Sequence, residues 1–141
     1  ATAAWARSEE KSEDLEEENQ RLSTSIGRLL KQFESVGETA ELVELILFTA
    51  TPRTTYHMNS IDLLSSFRDP SATLKMIIGL DNRTVSGGKS IGGAPSWREH
   101  HVSTGDSNDG RIYYRSDGEK IHVLLGKKQS QKRDIRRLSR I

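Results

Sequence analysis

From Ser12 to Glu34 the apolar residues Leu15, Leu22, Ile26, Leu29, Leu30 and Phe33 recur at steps of seven, four, three, one and three, which places them along one side of a helix. Gly37 is the expected stop. The first half of this segment, SEEKSEDLEEENQ, is almost wholly polar, so it projects into solvent or lies against something basic. The next apolar run, Leu42–Thr49, is short and rich in branched residues, with Pro52 just beyond. It reads as a buried first strand, with a helix continuing from Thr39 as the alternative.

Between Thr54 and Phe67 the residues Tyr56, Ile61, Leu63, Leu64 and Phe67 fall at roughly helical intervals, and Arg68-Asp69-Pro70 forms a turn. Ser71–Val85 carries Leu74, Ile77, Ile78 and Leu80 as a second helix, so the two form an αα-hairpin. The Gly- and Ser-rich segment SGGKSIGGAPS, Ser86–Ser96, is a connector, because neither the Walker A spacing nor GxGxxG fits its glycines.

Three strand-like pieces follow, Trp97–Val102, Arg111–Arg115 and Lys120–Leu125. Asp117-Gly118 between the last two is a strong hairpin signal, since this pair readily takes positive φ. A final helix begins near Ser130 and buries Ile135, Leu138 and Ile141. The expected fold is α+β, a small antiparallel sheet of about four strands in the order β-α-α-β-β-β-α over residues 41–141, preceded by an acidic helical extension over residues 1–40.

Composition narrows this picture. Of 141 residues, 32 are Leu, Ile, Val or Phe, enough for one small core. No cysteine is present, which removes disulfides and thiolate zinc sites, and neither a metal nor an organic cofactor is expected. No apolar run has the length of about 18 residues that a membrane helix needs, so the expectation is a cytoplasmic protein without membrane contact. The net charge of +1 hides an asymmetry: residues 1–40 hold 5 Lys and Arg against 9 Asp and Glu, and the rest is basic. Gly126–Ile141 concentrates Lys127, Lys128, Lys132, Arg133, Arg136, Arg137 and Arg140 against Asp134 alone, either a solvated helix face or a footprint for a polyanion.

Strand alternation puts Arg111, Tyr113 and Arg115 on one face of the hairpin, and separates Arg98 and His100 from Glu99 and His101. Cations, imidazoles and aromatic rings on a sheet face suit RNA, whose 2′-hydroxyl supplies an internal nucleophile. Cleavage then needs only proton transfer and charge stabilisation on the phosphate. His100 or His101 are the candidate proton carriers, Arg111, Lys127 and Lys128 the candidate phosphate stabilisers, and Arg98, Tyr113, Arg115, Lys132 and Arg133 the candidate RNA contacts. Each has a plain structural alternative: the histidines as packed strand residues, and Arg111 in a salt bridge with Glu99 or Asp109.

The segment GRIYYRSDGEKIHVLLGKKQSQKRDI, with APSWREHHVSTG before it, resembles the C-terminal half of RelE/ParE-superfamily toxins, closest to the addiction-module killer or HigB-like branch. The combination of GRIYYR, GKKQSQ and RDI carries the resemblance, which covers roughly residues 41–141 and is strongest after residue 110. It implies a toxin of a type II toxin-antitoxin system, an mRNA interferase that cuts mRNA on the ribosome through a 2′,3′-cyclic phosphate, with a cognate antitoxin as partner. By the same resemblance the family's strand arginine maps onto Arg111 and its basic residues after the last strand onto Lys127 and Lys128. Its earlier basic strand maps onto Arg98 with His100, or onto His101 if Glu99 is aligned with the family's Glu. The final helix has no Tyr, which some members use in catalysis. Two further readings stay open, a ParE-like non-enzymatic inhibitor of DNA gyrase and an inactive adaptor or cargo protein. The apolar stripe of the N-terminal helix is expected to pack on the body or on a second subunit.

Overall fold

The computed structural model describes the backbone of residues 2–36 and 40–141, and side chains at 13–29, 31 and 44–141. The helix stop at Gly37 and the side chains of Leu30 and Phe33 lie outside the described residues. In chain order the elements are α1 (Thr2–Val36), α2 (Ala40–Ala50), β1 (Thr54–Tyr56), α3 (Ser60–Ser66), α4 (Ser71–Asp81), β2 (Lys89–Ser90), β3 (Arg98–Val102), β4 (Gly110–Asp117), β5 (Lys120–Lys127) and, after a 3₁₀ turn, α5 (Gln131–Leu138). The fold is α+β, as the pattern predicts, but the sheet has five strands in the order β1-β5-β4-β3-β2, and β1 runs parallel to β5.

The run Leu42–Thr49 is part of α2 rather than the first strand. Its inward positions show why: Leu47 and Thr51 are buried and Ile46 and Ala50 partly so, a helical spacing, while Leu45 and Phe48 are exposed. A short run broken only by Glu44 has no readable period, and its branched residues favoured the wrong element. The first strand lies further on, at Thr54–Tyr56, inside the segment read as a helix. Asp81 anchors it, with Oδ1 accepting from the Arg53 backbone N–H at 2.8 Å and the Thr54 hydroxyl at 2.9 Å. The connector also contains a strand, β2, held antiparallel to β3 by the pairing of Lys89 with Glu99. Gly88 makes this possible: at φ +97 it passes so close to β3 that a Cβ would sit 2.9 Å from the Glu99 carbonyl oxygen.

One face of the sheet presents Val102, Ile112, Tyr114, Ile121, Val123 and Leu125 to a core shared with Leu47, Leu64, Phe67, Leu74, Ile77, Ile78 and Leu80. Ile26 of α1 belongs to this core, Asn19 bonds both Thr84 and Asn82, and the Lys31 ammonium donates to the Phe67 carbonyl oxygen. The acidic helix therefore docks along α4 as a layer of the domain. Of its apolar stripe, Ile26 faces inward, whereas Leu15, Leu22 and Leu29 are 40%, 40% and 38% exposed. The opposite face of the sheet carries a second, smaller cluster of Tyr113, Leu124, Ile91, Ala94, Trp97 and Leu138, with α5 laid over it. Gly126 permits the close seating of α5, because a Cβ there would stand 2.2 Å from Asp134 Oδ2.

Candidate functional site

The register of the sheet divides the sequence candidates between its two faces. His100 pairs with Ile112 and His101 with Arg111, so adjacent histidines point in opposite directions. His100 stacks on Tyr114, with ring centroids 5.7 Å apart, under the Gly88 loop. Burial lowers its pKa, a backbone hydrogen bond at Ser86 works against that, and nearby His101 adds to the lowering. It is a packed strand residue. Arg98, on the same face as His100, is exposed and donates to the Ser90 hydroxyl at 2.9 Å.

On the α5 face a single carboxylate gathers three donors. Glu99 is buried, and its Oε1 lies 3.1 Å from His101 Nε2, 3.0 Å from Gln131 Nε2 and 3.3 Å from Arg111 Nε. The arginine contact is an ion pair without the alignment of a hydrogen bond. Arg111 is itself only 6% exposed, and its Nη1 donates to the carbonyls of Asn108 and Gly110 at 3.0 Å each. Its guanidinium does not stand open over the sheet: of its two plain roles the one with Glu99 is present, while Asp109 takes the Thr104 hydroxyl instead. Tyr113 is fully buried and offers no ring for stacking on a base. Burial raises its pKa strongly, the charges of Glu99 and Asp134 add to this, and Arg111 opposes them. His101 differs from these residues, because its side chain is 53% exposed while its partner is buried. With Nε2 turned to a carboxylate, its Nδ1 is left for solvent or ligand.

At the end of β5 lies a cavity of about 370 Å³ whose lining combines two cations, Lys127 and Arg133, with Asp134, Asn59 and the apolar Leu63 and Leu125. It exists because β1 pairs only with residues 121–123, so the last residues of β5 have β4 on one side and no strand on the other. Ser60 of α3 docks there by accepting the Leu125 N–H at 3.0 Å. On the other side Asp134 accepts the Ser130 hydroxyl at 2.6 Å. Lys127 Nζ lies 5.8 Å from the centre of the Phe67 ring, and Lys128 and Lys132 are exposed and do not line the cavity. Gly126, on the cavity wall, lies in one cross-strand row with Arg111 and His101. Three strands at ~4.8 Å spacing put His101 about 10 Å from that wall.

A second polar group, of which the sequence singles out only Arg115, occupies the other end of the same face. His57 follows β1, and its Nε2 meets His122 Nδ1 of β5 at 2.8 Å. His122 Nε2 is 3.6 Å from Asp117 Oδ2, and Arg115 lies over the Trp97 ring at 5.4 Å. The missed signal is topological: 65 residues separate His57 from His122, and only the parallel pairing of β1 with β5 joins them. Among the described residues no group of three or more His, Cys, Asp or Glu is arranged to hold a metal, and no described helix is long and apolar enough to cross a membrane. Comparison of the chain with protein-family models, curated proteins and solved structures finds no match.

Proposed function

We propose that the chain is a metal-independent endoribonuclease, a toxin of a type II toxin-antitoxin system acting on ribosome-bound mRNA in the cytoplasm, with a cognate antitoxin as its partner. The supporting observation is an open imidazole, His101, fixed on the buried Glu99 within about 10 Å of the cavity that Lys127 and Arg133 help to line. In this reading the RNA backbone lies across the ends of β3, β4 and β5, with Lys127, Lys128, Lys132 and Arg133 on the phosphates. His101 Nδ1 takes the proton of the 2′-hydroxyl, O2′ bonds to phosphorus, and the 5′-oxygen leaves with a proton drawn from water, giving a 2′,3′-cyclic phosphate. Arg111 is a positioning residue that acts through Glu99.

The burial of Arg111 and Tyr113 favours a second reading, in which the same basic face only binds a partner, DNA gyrase or another protein, without chemistry. Purified protein incubated with translating ribosomes, with naked RNA and with gyrase separates the two. The nuclease reading expects RNA cleavage that survives EDTA and falls by about 10²- to 10⁴-fold in His101→Asn. No cleavage with or without ribosomes would leave the binding module.

A further inference from the structure

The polar group around His57 has features that core packing does not need. His122 Nε2 and Arg115 Nε are buried without hydrogen-bond partners, on cross-strand neighbours. Among the described residues no carboxylate pairs with Arg115, and its planar group lies over the face of Trp97 while the His57 ring stands nearly perpendicular to that ring, with centroids 6.5 Å apart. Trp97 is buried and so fixes both. Met58, next to His57, sits at φ +56, a left-handed conformation that few non-glycine residues adopt.

The protons can be followed through the chain of groups. Asp117 beside His122 Nε2 favours a proton on that nitrogen, so His122 Nδ1 accepts and His57 Nε2 donates. His57 Nδ1 is then the acceptor at the end of the line, and among the described residues it has no hydrogen-bond partner and is not buried. The charged groups around the pair are Arg115 and Asp117 on β4 and, across the hairpin, Lys120 paired with Asp117 and Arg83 bonded to the Gly118 carbonyl. Cations outnumber the acidic groups, which are Asp117 and the exposed Glu119.

We infer that His57, His122 and Arg115 form an anion site for a phosphate group, distinct from the His101 end of the sheet, which takes up a proton as the anion binds. Arg115 supplies the planar fork, and the imidazole pair supplies a charge that is absent when the site is empty and present when it is filled. The proton goes to His57 Nδ1, and the hydrogen bond to His122 passes part of the charge toward Asp117. Burial, His122 and Arg115 all hold the empty His57 below its ordinary pKa, so the bare site holds a proton less readily than a free imidazole does. From residue 111 to 115 along β4 the two sites stand about 13 Å apart, at ~3.3 Å per residue. The site can take a free anion or a phosphodiester of a nucleic-acid strand, and it does not rest on the nuclease reading.

The test is an NMR titration of the whole chain, following the histidine ring signals, with sulfate and with a dinucleotide whose 2′-hydroxyl is replaced by hydrogen. Neither probe changes its own charge between pH 6 and 8. The expected result is saturable movement of the His57 and His122 signals with millimolar probe, several-fold tighter at pH 6 than at pH 8. Binding should weaken at least tenfold in Arg115→Gln and lose its pH dependence in His57→Asn, with His101→Asn unchanged in both respects. Preference for the dinucleotide over sulfate would assign the site to a nucleic-acid strand, and the reverse to a free anion. No movement of these signals, or movement equal in His57→Asn, would overturn the proposal even if the protein cleaves RNA.

Discussion

Glu99 is the residue whose loss should be felt furthest, and Glu99→Gln tests the reasoning behind the site. The substitution keeps the shape but removes the negative charge facing Arg111, and both side chains are nearly inaccessible, at 4% and 6% exposure. Breaking a buried pair from one side leaves the other charge uncompensated, at a cost of about 3–5 kcal/mol. Most of that should appear here, because Arg111 is tethered by two backbone carbonyls and cannot swing to solvent. The carbonyl oxygen of the new glutamine can still accept from Gln131, so that hydrogen bond adds nothing to the loss. His101 adds little, being half in water. Taking about 3 kcal/mol and a urea dependence of ~2 kcal/mol per molar, the unfolding midpoint should fall by about 1.5 M. Replacing both partners, Glu99→Leu with Arg111→Met, should recover most of the loss, since neither charge is then stranded. A midpoint within about 0.3 M of the parent for Glu99→Gln, with an unchanged slope, would show that the pair does not hold this face together. So would a double variant whose loss equals the sum of the two singles.

Three further outcomes follow from the packing. Gly126→Ala should cost about 1–3 kcal/mol in thermal unfolding by forcing α5 away from Asp134, and an unchanged Tm would mean that the helix is not seated as described. Ile26→Ala should cost about 2–4 kcal/mol, whereas Leu22→Ala on the outer side of the same helix should cost less than about 1; equal effects would remove α1 from the core. His57 and His100 both have folded pKa values below the ordinary 6.5, so the unfolded chain binds more protons and stability, full above pH 6.5, is lost as pH falls through that value toward the folded ones. His100→Phe should flatten this loss between pH 6.5 and 5 in denaturant melts, and a steeper fall would count against a neutral, stacked His100.

The parts that local pattern can carry were readable from the residues. The Asp117-Gly118 hairpin, with Gly118 at φ +60, and the alternation that groups Arg111 with Tyr113 both follow from neighbours in sequence. Alternation, however, does not say which face of a strand will be roofed. α5 covers the Arg111 face, so a guanidinium expected over an open sheet is instead paired beneath a helix. The short strands at Thr54–Tyr56 and Lys89–Ser90 were missed because three and two residues give no period to detect. His57 and His122 depend on a pairing between distant strands, for which no local signal exists.

That pairing also fixes when the molecule can come into being. β5, the last strand to be synthesised, is inserted between the first strand and β4, so the sheet cannot be assembled in the order in which its residues leave the ribosome. A nascent chain halted before Lys120 holds His101, Glu99 and Arg111, yet β1 has no neighbour and β4 has one bare edge. Closing a contact across 65 residues places the decisive step late and makes it slow relative to helix formation. The His57–His122 pair is completed in that step, and the His101 end also takes Gln131 from α5, so translation through α5 is the timer for whatever the face does.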